Sequence, residues 1–222
     1  MAFNIAIDGP AGAGKSTIAR ALAKRLSYIY VDTGAMYRAM ALYLLREGIS
    51  AEDSGRIEEA CERVDISIIY EDNVQKVLLN GEDVSSLIRS EEVGNMASRS
   101  AQNGRVREKL VELQRQLAAK TDVVMDGRDI GTCVLPGADV KIYLTASVHT
   151  RAVRRYKEYL EKGMEADLAQ IEEDIEKRDH QDMTREIAPL KKAEDAVLLD
   201  SSDMTIEEVL DAMTAVCEKK KS

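Results

Sequence analysis

The sequence has little with which to build a disulfide scaffold, a structural zinc site or a membrane span. Cysteine occurs three times in 222 residues. Cys61, Cys133 and Cys217 lie far apart, without the paired spacing of a zinc site or the even count of a disulfide framework, so they read as reduced thiols. The two histidines, His149 and His180, stand outside any ligand pattern and are expected at the surface with no catalytic task. No stretch approaches the roughly 20 apolar residues of a membrane span. The start, Met1 to Asp8, shows no basic segment followed by a long apolar run. A soluble, cytoplasmic protein is the expectation. Positive charge is the minority sign, with 31 Lys and Arg against 40 Asp and Glu and a net charge of −9, which argues against nucleic acid as a partner. A small anionic ligand stays open, because a local cluster of arginines and backbone amides sets the field at a site whatever the net charge. No internal repeat is present, and the lysines at Lys219 to Lys221 read as a solvated tail. A monomer is expected, since no pattern shows a large apolar face beyond what a core needs.

What is present is ordinary globular usage, with 45% apolar and 32% charged residues, over a length that suits one core carrying insertions. Five short apolar runs read as buried parallel strands: Asn4 to Asp8, Tyr28 to Asp32, Asp122 to Asp126, Val140 to Leu144 and Ala196 to Asp200. Helical spacing fills Ser16 to Leu26 and Arg105 to Leu117, where Val106, Leu110, Leu113 and Leu117 recur on one face. Strands alternating with helices predict an α/β fold with a doubly wound, five-stranded parallel sheet. Two stretches interrupt the alternation. The first, about 36–97, is too long for a crossover and holds two β-rich runs, Asp65 to Tyr70 and Val74 to Leu79, separated by Glu71, Asp72 and Asn73; it reads as a small inserted domain with an antiparallel hairpin. The second, about 150–189, is mostly charged and helical and reads as a short mobile lid. The core is then about 1–35, 98–149 and 190–222.

Gly9-Pro10-Ala11-Gly12-Ala13-Gly14-Lys15-Ser16 is a glycine, four residues, then Gly-Lys-Ser, following one predicted strand and opening one predicted helix. Glycines let the chain curl so that successive N–H groups face phosphate oxygens, and the positive helix end adds to the attraction. Lys15 is expected on the β and γ phosphates, Ser16 on the Mg²⁺ that accompanies ATP, and Thr17 on the α phosphate. The motif implies nucleotide binding, which GTPases, motor ATPases and kinases share.

The next predicted strand ends in Asp32-Thr33-Gly34-Ala35-Met36-Tyr37-Arg38, expected beside the phosphate loop with Thr33 and Arg38 facing the γ phosphate. A GTPase would need an Asn-Lys-x-Asp motif, which is absent, and a motor ATPase is usually larger. A small kinase fits best. Asp126-Gly127-Arg128-Asp129 ends another strand at the carboxyl edge where such sheets bind ligands; an Asp-Gly turn accounts for its first two residues but not for Arg128 and Asp129. Arg178, Asp182 and Arg185 have the spacing of one helix face, which suits either a surface ion-pair ladder or a ligand site. Arg151, Arg154 and Arg155 suit either lid charge toward ATP or a solvated basic face. Asp32 and Asp126 either orient Mg²⁺ through water or cap strand ends.

These motifs together resemble the bacterial cytidylate kinases, within the P-loop nucleoside monophosphate kinases. The resemblance covers nearly the whole chain and rests on IAIDGPAGAGKST at Ile5 to Thr17, DTGAMYRA at Asp32 to Ala39, GEDVSSLIRSEEV at Gly81 to Val93, NMAS followed by RVRE within Asn95 to Glu108, DGRDIGT at Asp126 to Thr132 and KRDHQDMTREIAPL at Lys177 to Leu190. It implies transfer of the γ phosphate of ATP to CMP or dCMP, and a monophosphate-binding role for the insert. By the same resemblance Thr33, Arg38, Arg128 and Arg185 meet the acceptor's phosphate, Ser98 and Arg107 donate to the ring, and Arg178 and Asp182 meet the ribose. Lys15, Arg128 and Arg185 are then the catalytic charges. Asp129 is expected to read the base, because a carboxylate accepts well from the amino group of cytosine. Two other readings are a kinase for UMP or AMP, and a binding module switched by ATP. The second gives Arg38, Arg128 and Arg185 no acceptor phosphate to neutralise.

Overall fold

The computed structural model describes residues 2–71 and 74–221. In chain order its elements are β1 (Asn4–Asp8), α1 (Lys15–Leu26), β2 (Ile29–Asp32), α2 (Thr33–Arg46), α3 (Ser54–Arg63), β3 (Ile66–Glu71), β4 (Val74–Leu79) and β5 (Glu82–Asp83). They continue with α4 (Glu91–Ser100), α5 (Gly104–Lys120), β6 (Val123–Gly127), β7 (Val140–Thr145), α6 (Val148–Glu161), α7 (Leu168–Thr184), β8 (Val197–Asp200) and α8 (Ile206–Lys221). A single 3₁₀ turn spans Leu87–Arg89, and one wide helical turn spans Ile130–Val134.

Five strands form one sheet in the order β2-β6-β1-β7-β8. β1 pairs in parallel with β6 on one side and β7 on the other, and β7 pairs in parallel with β8. Parallel neighbours need a long crossover, which the intervening helices supply. The order corrects one expectation from the sequence. β6 lies between β1 and β2, so the strand next to β1 on that side is the one ending in Asp126-Gly127, and the strand ending in Asp32 lies one position further out. A second correction concerns β8, expected to be buried. As an edge strand it leaves Val197 and Leu198 exposed, at 44% and 58%.

The chain divides into two compact units, Phe3–Tyr30 with Asp122–Ser222, and Val31–Thr121. In the first, Ile5, Ile7, Val124, Ile142 and Leu144 of the central strands pack with Ile18 and Leu22 of α1 and Val209, Leu210 and Met213 of α8. Leu22 is fully buried, and burying such a side chain contributes about 1.5–3 kcal/mol. Burial raises the Cys217 thiol to about 11, which keeps it protonated and unreactive at neutral pH. A smaller cluster of Ala152, Ile171 and Ile175 joins α6 to α7 within 150–189.

The second unit builds its own core from Met36, Met40 and Leu44 of α2, Ile57 of α3, Val77 and Leu79 of β4, Val93 and Met96 of α4, and Val106 and Leu110 of α5. Because α5 contributes to that core, the unit runs on to Thr121 and is wider than the 36–97 stretch that the sequence pattern marks off. The expected hairpin is present, with β3 antiparallel to β4 and Ile66 opposite Leu79. Of its expected connection, Asp72 and Asn73 lie outside the described residues.

Candidate active site

β1 runs directly into the phosphate loop, and the geometry there accepts only glycine at two places. Gly9 has φ +151°, and a Cβ on it would stand 1.9 Å from the carbonyl oxygen of Leu144. Gly14, with φ +84°, caps α1 in the left-handed region. Lys15, the first residue of α1, is buried, and its Nζ donates to the Pro10 carbonyl at 2.7 Å. Burial and the neighbouring Arg128 charge push the lysine down to about 7, against the pull of Asp126, Asp8 and Asp182. Ser16 Oγ donates to Asp126 Oδ2 at 2.9 Å, and Asp126 Oδ1 accepts from the Tyr30 hydroxyl at 2.9 Å. Asp126 therefore holds the hydroxyl of Ser16 in the phosphate loop and that of Tyr30 at once.

The residues just past β6 meet the end of α7. Arg128 Nε donates to Asp182 Oδ2 at 2.8 Å, and Arg185 Nη2 lies 3.5 Å from Asp129 Oδ1. Burial alone would raise the Asp182 carboxyl, but the charge and hydrogen bond of Arg128, with Arg185 and Arg178, hold it below the ordinary carboxylate range. Asp129 and Asp182 are both buried, and Arg178 is half-buried on α7. One expectation needs correcting, since Arg185 is not on the helix face with Arg178 and Asp182. α7 stops at Thr184, and Arg185 is extended at φ −59°, ψ 141°. Its Nε donates to the Ala188 carbonyl at 2.8 Å, closing a turn ahead of Pro189, which cannot continue a helix.

One further group in this unit was missed by the pattern. Asp8, at the end of β1, accepts from the Ile130 and Gly131 amides, both at 2.7 Å. Arg151 is not part of a solvated face. It is buried, and it donates to the carbonyls of Ala146 and Ala11 at 2.9 Å each and to Asp179 at 2.6 Å. It ties α6 and α7 to the phosphate loop's own backbone. Arg154 donates to the Ser201 carbonyl at 2.7 Å, and Arg155 lies over the Tyr159 ring. His149 is exposed and pairs with Glu172 at 2.6 Å, and His180 is exposed.

The other unit arranges Thr33, Arg38, Ser98 and Arg107. Asp32 caps α2 by accepting from the Ala35 amide at 2.9 Å, and its other oxygen meets Arg89 at 3.2 Å. Asp32 thus acts here as a helix cap, leaving Thr33 buried at the first helical position. The Gln75 side chain of β4 pairs with the backbone of Asp32, accepting from its N–H at 2.7 Å and donating to its C=O at 3.2 Å. Arg38 donates to the Ile88 carbonyl at 3.1 Å, and its guanidinium lies against Gly94 so closely that a Cβ there would stand 3.0 Å from Nη1. Arg107 is buried on α5 with its guanidinium 5.9 Å from the centre of the Tyr37 ring, and Ser98 is half-buried on α4.

Among the described residues no cluster of three or more His, Cys, Asp or Glu gathers for a metal ion, and no helix is long and apolar enough to cross a membrane. The sheet and the phosphate loop define a P-loop nucleotide-binding fold. Solved structures of an uncharacterized protein from Eubacterium ventriosum (TM-score 0.53, 12% identity, 99% of each chain) and of a gluconokinase from Sinorhizobium meliloti (TM-score 0.50, 13% identity, 99% of this chain and 94% of that one) share the fold. A family model described as cytidylate kinase matches residues 5–219. The cytidylate kinases of Carboxydothermus hydrogenoformans and Bacillus subtilis are 51% and 48% identical to this chain, covering 98% of it in each case and 98% and 97% of their own lengths. That of Caldicellulosiruptor saccharolyticus is 54% identical over 94% of this chain and 92% of its own. The chain belongs to the cytidylate kinase family.

Proposed function

We propose that the enzyme transfers the γ phosphate of ATP to CMP or dCMP, giving ADP and CDP or dCDP. A phosphate loop lying inside a family match that spans almost the whole chain carries this reading. The backbone N–H groups from Gly9 to Ser16, Pro10 excepted, and the ammonium of Lys15 hold the triphosphate, with the Thr17 hydroxyl on the α phosphate. Thr33, Arg38, Arg128 and Arg185 receive the acceptor's phosphate, because two anions approach in line only when their charge is offset. Asp129 reads the cytosine amino group with Ser98 and Arg107 beside the ring, while Arg178 and Asp182 meet the ribose. The bond from the bridging oxygen to the γ phosphorus breaks as an oxygen of CMP bonds to that phosphorus. The bridging oxygen leaves with ADP. No general base is required, since the attacking oxygen is already anionic.

The oxygen pair of Ser16 and Asp126 suits Mg²⁺ arriving with ATP, a hard cation that takes oxygen ligands. Ser16 would hold it and Asp126 would stand beside it, and the ion would offset charge on the β and γ phosphates. The stretch 36–97 serves as the monophosphate-binding insert and 150–189 as a lid that excludes water during transfer. The enzyme acts as a cytoplasmic monomer without a nucleic-acid partner. Its net charge of −9 and three cysteines not joined in disulfides support that setting.

The fate of labelled γ phosphate tests the proposal. With ATP carrying the label and CMP present, the label is expected in the β position of CDP. Label released as inorganic phosphate at the same rate with or without CMP would overturn it.

A further inference from the structure

We propose that Asp8 is a positioning residue for the acceptor nucleotide, its carboxylate clamping the Ile130 and Gly131 backbone and so fixing the adjoining Arg128 and Asp129. The inference rests on the assignment of Asp129 to the cytosine ring. Asp8 ends β1 immediately before Gly9 opens the phosphate loop, and only 5% of it is exposed. Both of its oxygens are engaged, Oδ1 by the Ile130 N–H and Oδ2 by the Gly131 N–H, each at 2.7 Å. The two charge-assisted bonds hold two successive peptide units, Asp129–Ile130 and Ile130–Gly131, against one carboxylate, where a single bond would leave the second free to pivot. Gly131 completes the clamp. A Cβ there would stand 3.3 Å from Asp8 Oδ2 and 3.1 Å from Lys141 Cδ, so the backbone is gripped between the carboxylate and the lysine stem.

Asp129 is bonded directly to Ile130, and its carbonyl accepts from the Cys133 amide at 2.8 Å, so the same turn is held from both ends. Holding a carboxylate in so dry a place is costly. Burial raises Asp8 to about 6 even though both amides favour its charged form, and the Asp129 charge adds to the rise while Lys15 opposes it. A neutral isostere shows what the charge does: asparagine keeps one acceptor oxygen and turns an NH₂ toward the second amide, setting donor against donor.

The test compares wild type, Asp8→Asn and Asp129→Asn by kcat and KM for CMP, for UMP and for ATP. Asp8→Asn is expected to raise KM for CMP about 10-fold or more through the loss of one charge-assisted bond, and to narrow the preference for CMP over UMP. Its KM for ATP is expected to move less than about 3-fold, because Asp8 acts on the phosphate loop only through a minor charge interaction with Lys15 and not through a hydrogen bond. Proportional change in both KM values, or change in neither, would overturn the inference. Should Asp129→Asn abolish the base preference while Asp8→Asn leaves it intact, the base assignment stands and the Asp8 inference falls. Should Asp129→Asn leave the preference intact, the base assignment falls and the KM split alone decides for Asp8. If Asp8→Asn does not fold, amide exchange in the wild-type protein decides. Ile130 and Gly131 are expected to be protected like the amides of β6, and exchange as fast as an open loop would overturn the clamp.

Discussion

Replacing Asp129 by asparagine is expected to lower kcat/KM for CMP while kcat/KM for UMP holds or rises. Uracil carries a carbonyl where cytosine carries an amino group, so the wild-type carboxylate would face a second acceptor with no proton between them. Asp129 is buried and lies 3.5 Å from the Arg185 guanidinium, so water has little access to relieve the mismatch. A site built to pair with a substrate's donor can reject an analogue lacking it by up to about 10⁴-fold, because its own buried acceptor loses its bond. The asparagine amide can turn either its oxygen toward the cytosine amino group or its NH₂ toward the uracil oxygen. Specificity constants for both nucleotides on both proteins measure the effect. An unchanged CMP to UMP ratio would mean that Asp129 does not read the base.

Lys15→Ala is expected to leave the protein folded and to cut turnover by at least about 10²-fold. In the proposed reaction the lysine's ammonium follows charge developing on the γ phosphate, whereas in the folded protein it donates to the Pro10 carbonyl at 2.7 Å. Removing it also removes a buried cation that burial and Arg128 already push down to about 7, so the loss of stability is expected to be small. Circular dichroism on the purified variant checks the fold, and single-turnover rates check the chemistry. A folded variant with a near-normal rate would remove Lys15 from the mechanism.

Short-range features were legible in the sequence. The phosphate loop was readable because its glycines, lysine and serine act on one another within a few residues, and β1 and α1 bound it where the pattern placed them. The five apolar runs were likewise readable as strands. What the runs do not encode is their lateral order, so β6 between β1 and β2 was not foreseen. Nor do they separate an edge from a centre, so exposed Val197 and Leu198 looked like core. The clamp by Asp8 joins residues 122 and 123 positions apart, and the Arg151 contact to Ala11 spans 140; no local spacing signals either. Arg151 resembled its half-buried neighbours Arg154 and Arg155 because a run of charges does not reveal which member turns fully inward. The helix-face expectation failed at Arg185 for a reason that was visible, since Pro189 lies four positions on and limits how far α7 can run.

The central claim is that this chain phosphorylates a cytidine monophosphate, and ADP release measured across a panel of acceptors tests it most directly. With ATP and Mg²⁺, rapid ADP formation is expected with CMP and dCMP, slow formation with UMP and AMP, and almost none without an acceptor. ADP appearing equally fast with no acceptor, or faster with UMP or AMP than with either cytidine nucleotide, would contradict the account.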